Sequence, residues 1–444
     1  MSTPLQHLKS SAQTSQVFDV DPHSGFMAPE PPISRLPEKW EAWEIVLDNA
    51  RAAKLQLGDK VGLATSEASI SASWRKEVRK MPELSIVGLE ESVILLRRAH
   101  LVLAYILHFY VQSLPPSEAV SIPPSISIPI LRLSAKLDLP PVLTFSDTVL
   151  YNWNYKFGPQ NNDQTPDINN IRIQTTFTGL VDEEEFYLCS ARIELRGVEI
   201  LELMRMTMDE TFVGDAIAVR RISGYLHTIS STIDELKKLL LDVKTKCNPD
   251  VYYNQVRPWF RGEDSDENKR SWVFEGVGPG GDPELHVPKE LSGPSAGQSS
   301  MIHILDIFFG VDHQASSPGK PPFMVRMQSY MPRNHRLFLD HLKANPRPLR
   351  VFVADAKDAD LLAAYNVAVL ALKTFRDAHM IIAALYILGP ARRAKAFGVT
   401  SDGAVEGVDA TKVPLKGTGG TDLVKFLKDT RTRTTETIIP GLGL

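Results

Sequence analysis

A single imidazole, His379, stands in the run Phe375-Arg376-Asp377-Ala378-His379-Met380, inside an otherwise apolar stretch of helical period. At three-, four- and seven-residue spacings it shares a helix face with Leu372, Phe375, Arg376, Ile382, Ala383 and Tyr386. That face is wide and apolar, and it offers one neutral nitrogen ligand beside one cation. A haem group has these needs: an axial imidazole, apolar walls against the macrocycle, and positive charge near its propionates. The helix pattern alone also suits a buried histidine bonded to a backbone carbonyl, and His100, His108 and His303 compete on similar grounds.

Other residues carry weaker signals. Asp306 lies in His303-Ile304-Leu305-Asp306-Ile307-Phe308-Phe309, where an ionised carboxylate on an apolar helix needs a partner, and Arg376 is the partner expected. The alternative is a solvent-facing Asp306. Residues 416–422 hold three glycines and a helix start expected at Thr421, so free backbone amides there could meet an anion or merely cap the helix. Its spacing is not that of a phosphate-binding loop. Arg257 precedes Pro258-Trp259-Phe260, and a guanidinium among aromatics can clamp a carboxylate at two points. Phe186 and Ser190, four residues apart, point the same way from one helix and need no role beyond packing in the core.

Positioning these groups requires a large core, and the composition provides one. With 444 residues, 43% hydrophobic and 23% charged, the chain can form two or more domains. A formal net charge of −4 without a basic stripe argues against nucleic acid or an anionic membrane as partner. Cys189 and Cys247 are the only cysteines, so neither a disulfide framework nor a thiolate metal site is expected, and a reducing, cytoplasmic setting follows. The polar start, residues 1–13, lacks the apolar core of a secretory signal. The greasiest segment, residues 99–111, is too short for a membrane span.

The expected organisation has three parts. Residues 1–38 form an irregular arm rich in Pro, Ser and Asp; residues 39–165 form a small helix-rich domain; residues 166–444 form a large all-α domain. The boundary falls in the polar run 161–167. Helical patterns in the large domain cover 184–207, 216–245, 250–260, 295–309, 333–342 and 360–388. Ser295 and Gln298 have the spacing of a capping box at the start of one of them. Residues 389–420, with much Gly, Ala and Lys, read as a long mobile loop.

Four segments in order, Gly293-Pro294-Ser295-Ala296-Gly297-Gln298-Ser299-Ser300, then Tyr330 to Leu339, the His379 helix and residues 416–423, resemble the indoleamine 2,3-dioxygenase family, and the likeness covers most of the chain after about residue 40. The resemblance implies a haem b enzyme of mainly α fold that cleaves the indole C2–C3 bond of L-tryptophan with O2 to N-formylkynurenine, towards NAD synthesis. It implies that His379 is the proximal iron ligand, with Asp306 and Arg376 beside the haem and Ser295 and Ala296 bordering haem and substrate. Phe186 matches the ring against the indole, Ser190 the nearby hydroxyl, Arg257 the carboxylate clamp, and Thr418 the threonine of the closing loop. Phe145, Thr148 and Tyr252 stand where a well-studied form has Tyr, Cys and Phe, and Pro294 replaces a glycine. Phe145 and Tyr252 are thus expected against the substrate. Partners on this reading are L-tryptophan, O2 and an electron donor that keeps the iron ferrous, with the chain a monomer. A haem-binding paralogue of weak turnover acting on another indole, and a helical interaction protein without haem, remain open.

Overall fold

Helices built on buried apolar stripes account for most of the chain, as the sequence pattern predicts. The computed structural model describes residues 17–158, 165–278, 282–313, 321–346, 348–398 and 422–441. Helices α1 (Glu41–Ala52), α2 (Thr65–Lys80), α3 (Val93–Gln112) and α4 (Pro124–Leu137) come first, and α3 packs against α1 and α4. Every residue of α3 from Ala99 onward is buried, which is what neighbours on all sides demand of a helix. It is long and apolar enough to cross a membrane by length and composition, but 78% of that window is buried inside the fold, so core burial accounts for its apolarity.

The helices that follow are α5 (Val181–Arg196), α6 (Val198–Val213), α7 (Ala216–Asp242), α8 (Ser300–Phe309), α9 (Phe323–Gln328), α10 (Arg333–Ala344), α11 (Leu349–Ala356), α12 (Ala359–Ala383), α13 (Gly389–Gly398) and α14 (Leu423–Glu436). Helix α12, which carries His379, lies along α7 and is flanked by α14, while α5 and α6 pack on α7. Both long helices are well started. Asp215 accepts from the amides of Ile217 and Ala218, and Asp358 accepts from Leu361, satisfying donors that have no partner within the helix.

Several expected helices differ in detail, for local reasons. The pattern over 184–207 is two helices broken at Gly197, where a Cβ would lie 2.6 Å from the Met301 methyl of α8, so that a larger residue would displace that side chain. Residues 250–260 form one α-turn, a π-turn over Tyr252–Val256 and a 3-10 turn over Arg257–Phe260, since Pro258 can donate no backbone bond. Residues 389–398 are helix α13 rather than the start of a loop, and α14 begins with Asp422 as its cap, one residue beyond the expected Thr421. Among the described residues there are four three-residue strands: β1 (Val120–Ile122) pairs in parallel with β4 (Trp272–Phe274), and β2 (Trp153–Tyr155) pairs antiparallel with β3 (Ile171–Ile173).

Residues 19–37 have no regular helix or strand, yet they are anchored. Asp19 pairs with Arg97 of α3, whose guanidinium lies 4.1 Å from the Tyr151 ring centroid. Phe18 and Phe26 meet Phe338 of α10, and Phe26 also meets the edge of His335 at 4.9 Å.

Candidate functional site

The last third of α12 turns His379 toward a cavity whose empty space, the open solvent at its mouth included, is about 850 Å³. Neither ring nitrogen has a hydrogen-bond partner among the described residues, and burial first, then the Arg376 charge, pushes its pKa down to about 4. The ring keeps some accessible surface because it faces the cavity. The result is a neutral imidazole with its lone pair unspent. The rival histidines are all committed: His100 to Asp147 and the Pro140 carbonyl, His108 to the Trp259 carbonyl and the Leu143 amide, His303 to the Gly297 carbonyl and Gln328.

The cavity walls are mostly apolar, with Phe145, Leu240, Leu372, Phe375 and Phe426 among them. Ser190, Ala296 and Arg376 also line it, so five residues singled out in the sequence, His379 and Phe145 included, converge from four segments of the chain. A free axial nitrogen, apolar walls and an adjacent guanidinium fit a planar iron macrocycle. Among the described residues no cluster of three His, Cys, Asp or Glu could hold a bare metal ion.

Behind Arg376 lies the carboxylate the sequence pairs with it. Asp306 of α8 bonds the Arg376 guanidinium through Oδ1, while its Oδ2 lies 2.7 Å from His313 Nε2. Arg376 also donates to the Thr434 hydroxyl of α14. Burial works against the Asp306 charge, but Arg376 and then His313 outweigh it and hold this carboxyl below its ordinary range. The pair ties α8, α12 and α14 together beside the cavity.

An aromatic group adjoins. Phe186 and Tyr252 have ring centroids 4.3 Å apart, Phe186 lies 6.2 Å from Phe260, and Tyr252 meets Tyr386 at 5.7 Å. The buried Arg257 guanidinium lies 5.6 Å from the Tyr253 ring centroid. Burial works against its charge. These residues are absent from the cavity wall; α5 links the two, carrying Phe186 one turn before Ser190. Thr148 and Tyr252 both sit in π-turns, and a third π-turn over Ala384–Leu388 carries Tyr386. Such turns re-aim side chains and recur at functional sites.

Ser295 caps a short turn through its hydroxyl, which accepts the Gly297 amide at 3.2 Å. Gln298 does not complete a capping box: its Oε1 accepts the Phe145 amide and its Nε2 donates to the Gly293 carbonyl. Gly293 must be glycine, because a Cβ would lie 1.8 Å from the Phe260 carbonyl oxygen. Pro294, beside it, is buried. Thr418 lies outside the described residues.

Sequence reasoning passed over Glu194, His313 and Thr434, and gave Gln298 only a capping role. A glutamate between Ile193 and Leu195, four residues after Ser190, could have drawn notice by the same logic that picked Asp306. His313 and Thr434 have no local signal.

Fold and cavity define a class: a mainly helical protein with a histidine-bearing apolar chamber suited to a planar iron cofactor. Comparison with known sequences narrows it. The sequence model of the indoleamine 2,3-dioxygenase family matches residues 14–437. Indoleamine 2,3-dioxygenase 1 of Mus musculus is 30% identical over 422 residues, covering 95% of this chain and 94% of the relative. Indoleamine 2,3-dioxygenase of Saccharomyces cerevisiae is 31% identical over 446 residues, 95% and 92%. A 6-hydroxytryptophan 2,3-dioxygenase of Fusarium equiseti is 28% identical, 95% and 97%. The chain belongs to the indoleamine 2,3-dioxygenase family, haem-dependent dioxygenases of tryptophan catabolism, and is an oxidoreductase.

Proposed function

We propose that this enzyme cleaves the indole C2–C3 bond of L-tryptophan with O2 to give N-formylkynurenine, using haem b held by His379. The observation that carries this is the unpartnered His379 imidazole facing an apolar cavity, while His100, His108 and His303 are all hydrogen-bonded. When bound, the haem iron supplies the oxygen chemistry that places both atoms of O2 on the indole ring.

The protein's own task is orientation and exclusion of water. Phe186 offers its ring to the indole, with Tyr252 against its other neighbours and Phe145 and Ser190 on the cavity side. Arg257 takes the substrate carboxylate, a pairing that would offset the burial now working against its charge. Ser295 and Ala296 border cofactor and substrate, Arg376 and Asp306 support the cofactor side, and Thr418 acts from the closing loop. Residues 39–165 form the covering domain and 166–444 the domain that holds the cofactor, as a monomer in a cytoplasmic, reducing setting. Two buried free cysteines agree with that setting.

The test is the ferrous spectrum of the reconstituted protein with and without L-tryptophan, together with product detection. A Soret band that shifts on adding tryptophan, followed by N-formylkynurenine when O2 and a reductant are supplied, is expected. No product at millimolar L-tryptophan would overturn the substrate, and no Soret band would overturn the cofactor.

Tyr252 favours a second reading. The residue is buried with its ring against Phe186, and no side-chain hydrogen bond of its hydroxyl is seen among the described residues. An indole bearing a hydroxyl could satisfy it, and one relative bears the name of a hydroxytryptophan dioxygenase. Competition between L-tryptophan and ring-hydroxylated tryptophans for turnover decides between them.

A further inference from the structure

Glu194 has no part in the roles above, yet it lines the same cavity as His379. It lies one helical turn after Ser190 on α5 and is 1% exposed. Its Oε1 accepts a hydrogen bond from the Ser299 hydroxyl at 2.5 Å, and its Oε2 has no partner among the described residues.

The charged groups around it are engaged elsewhere. On its own helix, Arg192 pairs with Glu185, and Arg196 with Glu199 and Glu235. On α7, Lys237 pairs with Asp234, and Lys238 and Asp242 are exposed. Across the cavity, Arg376 is held by Asp306, and Asp306 also by His313; His303 is hydrogen-bonded and His379 is neutral. In the arm, Asp21 accepts from the backbone of His23 and Ser24. Burial and the Ser299 hydroxyl are the two influences that dominate at its carboxyl. An ionised Glu194 would rest on one hydroxyl donor in an apolar chamber, and burial favours the acid form strongly there. Burial pushes its pKa up to about 7, against the smaller opposing effect of Ser299.

We propose that Glu194 is the redox-linked proton site of the cavity, binding a proton when the iron carried by His379 is reduced and releasing it on oxidation. The inference rests on the haem reading. One electron from a reductant takes ferric iron to ferrous, and one proton from solvent forms an O–H bond at the Glu194 carboxylate, so the cavity keeps its charge. Removing a unit positive charge from a cavity that Glu194 borders would raise the proton affinity of its carboxyl. Enzyme at lower pH is therefore the more easily kept ferrous.

The experiment is spectroelectrochemical titration of the haem-loaded full chain at a series of pH values, for wild type, Glu194→Gln and Ser299→Ala. Glutamine keeps the size and can keep the Ser299 bond. In wild type the midpoint potential should fall as pH rises through a window at neutrality. Glu194→Gln should lose that fall. Ser299→Ala removes the donor that favours the ionised form, so it should move the window to higher pH, and it serves as the second variant if the first folds poorly. A slope unchanged in Glu194→Gln, or a window unmoved in Ser299→Ala, overturns the proposal while the haem reading stands. Wild-type protein without a Soret band overturns both.

Discussion

Gln298 and Phe145, 153 positions apart in the chain, are joined by a 2.8 Å bond from the Phe145 amide to the Gln298 side-chain oxygen. The same glutamine donates to the Gly293 carbonyl, so two segments that border the cavity are pinned by one buried side chain. Gln298→Ala leaves a buried donor and a buried acceptor unmet. A loss of about 1–3 kcal/mol is expected in chemical unfolding. Gln298→Glu should also destabilise, since it replaces the donor to Gly293 with an acceptor.

His379→Ala should abolish the Soret band of haem-reconstituted protein, and added imidazole should restore part of it. His303→Ala should retain the band, because that ring is already engaged by Gly297 and Gln328. The reverse outcome would move the iron to another histidine.

The Asp306–Arg376 pair gives a pH signature. The folded Asp306 carboxyl sits below its ordinary value, so its contribution to stability is present above the unfolded aspartate value, near 4, and is lost as pH falls through the folded value. Thermal midpoints measured from pH 7 down to 3 should therefore drop less steeply in Asp306→Asn than in wild type. At pH 7 the same variant should be the weaker protein, and Arg376→Ala should cost about 3–5 kcal/mol by stranding a buried carboxylate.

Glu194 predicts the opposite sign. Between about pH 4.5, the ordinary glutamate value, and about 7, the folded chain keeps a proton that the unfolded chain has released, so stability declines as pH rises and levels off above that window. Glu194→Gln should remove a decline of about 3 kcal/mol. Unfolding curves at pH 5 and pH 8 suffice to see it; equal declines in both proteins would mean the group is ionised at both.

Arg257→Ala should raise the KM for L-tryptophan by about ten- to a hundredfold, the worth of a charge-assisted hydrogen bond. Tryptamine, which lacks the carboxylate, should be affected little. Equal losses on both compounds would assign Arg257 a structural part.

Much of this was open to sequence reading, but unevenly. The α12 stripe is legible because His379, Arg376 and Leu372 repeat with the helix, and the Asp306–Arg376 meeting could be argued because a buried carboxylate needs a cation. The π-turns at Ser146–Leu150 and Tyr252–Val256 were not legible, since one extra residue per turn leaves no mark in composition or period. The break at Gly197 was missed because a glycine inside a helical pattern does not by itself mark a helix end. Glu194 was missed for a different reason: its neighbours on the helix include charged residues, and only the tertiary arrangement turns it inward.

The anchoring of residues 18–26 on α10 has a consequence for biosynthesis. Phe18 and Phe26 are made more than three hundred positions before Phe338 and His335. These rings must therefore wait while the intervening residues are synthesised, and their docking closes a loop of more than three hundred residues. Shortening the chain past Met27 would leave a vacant apolar seat on α10 and expose it to association with other chains.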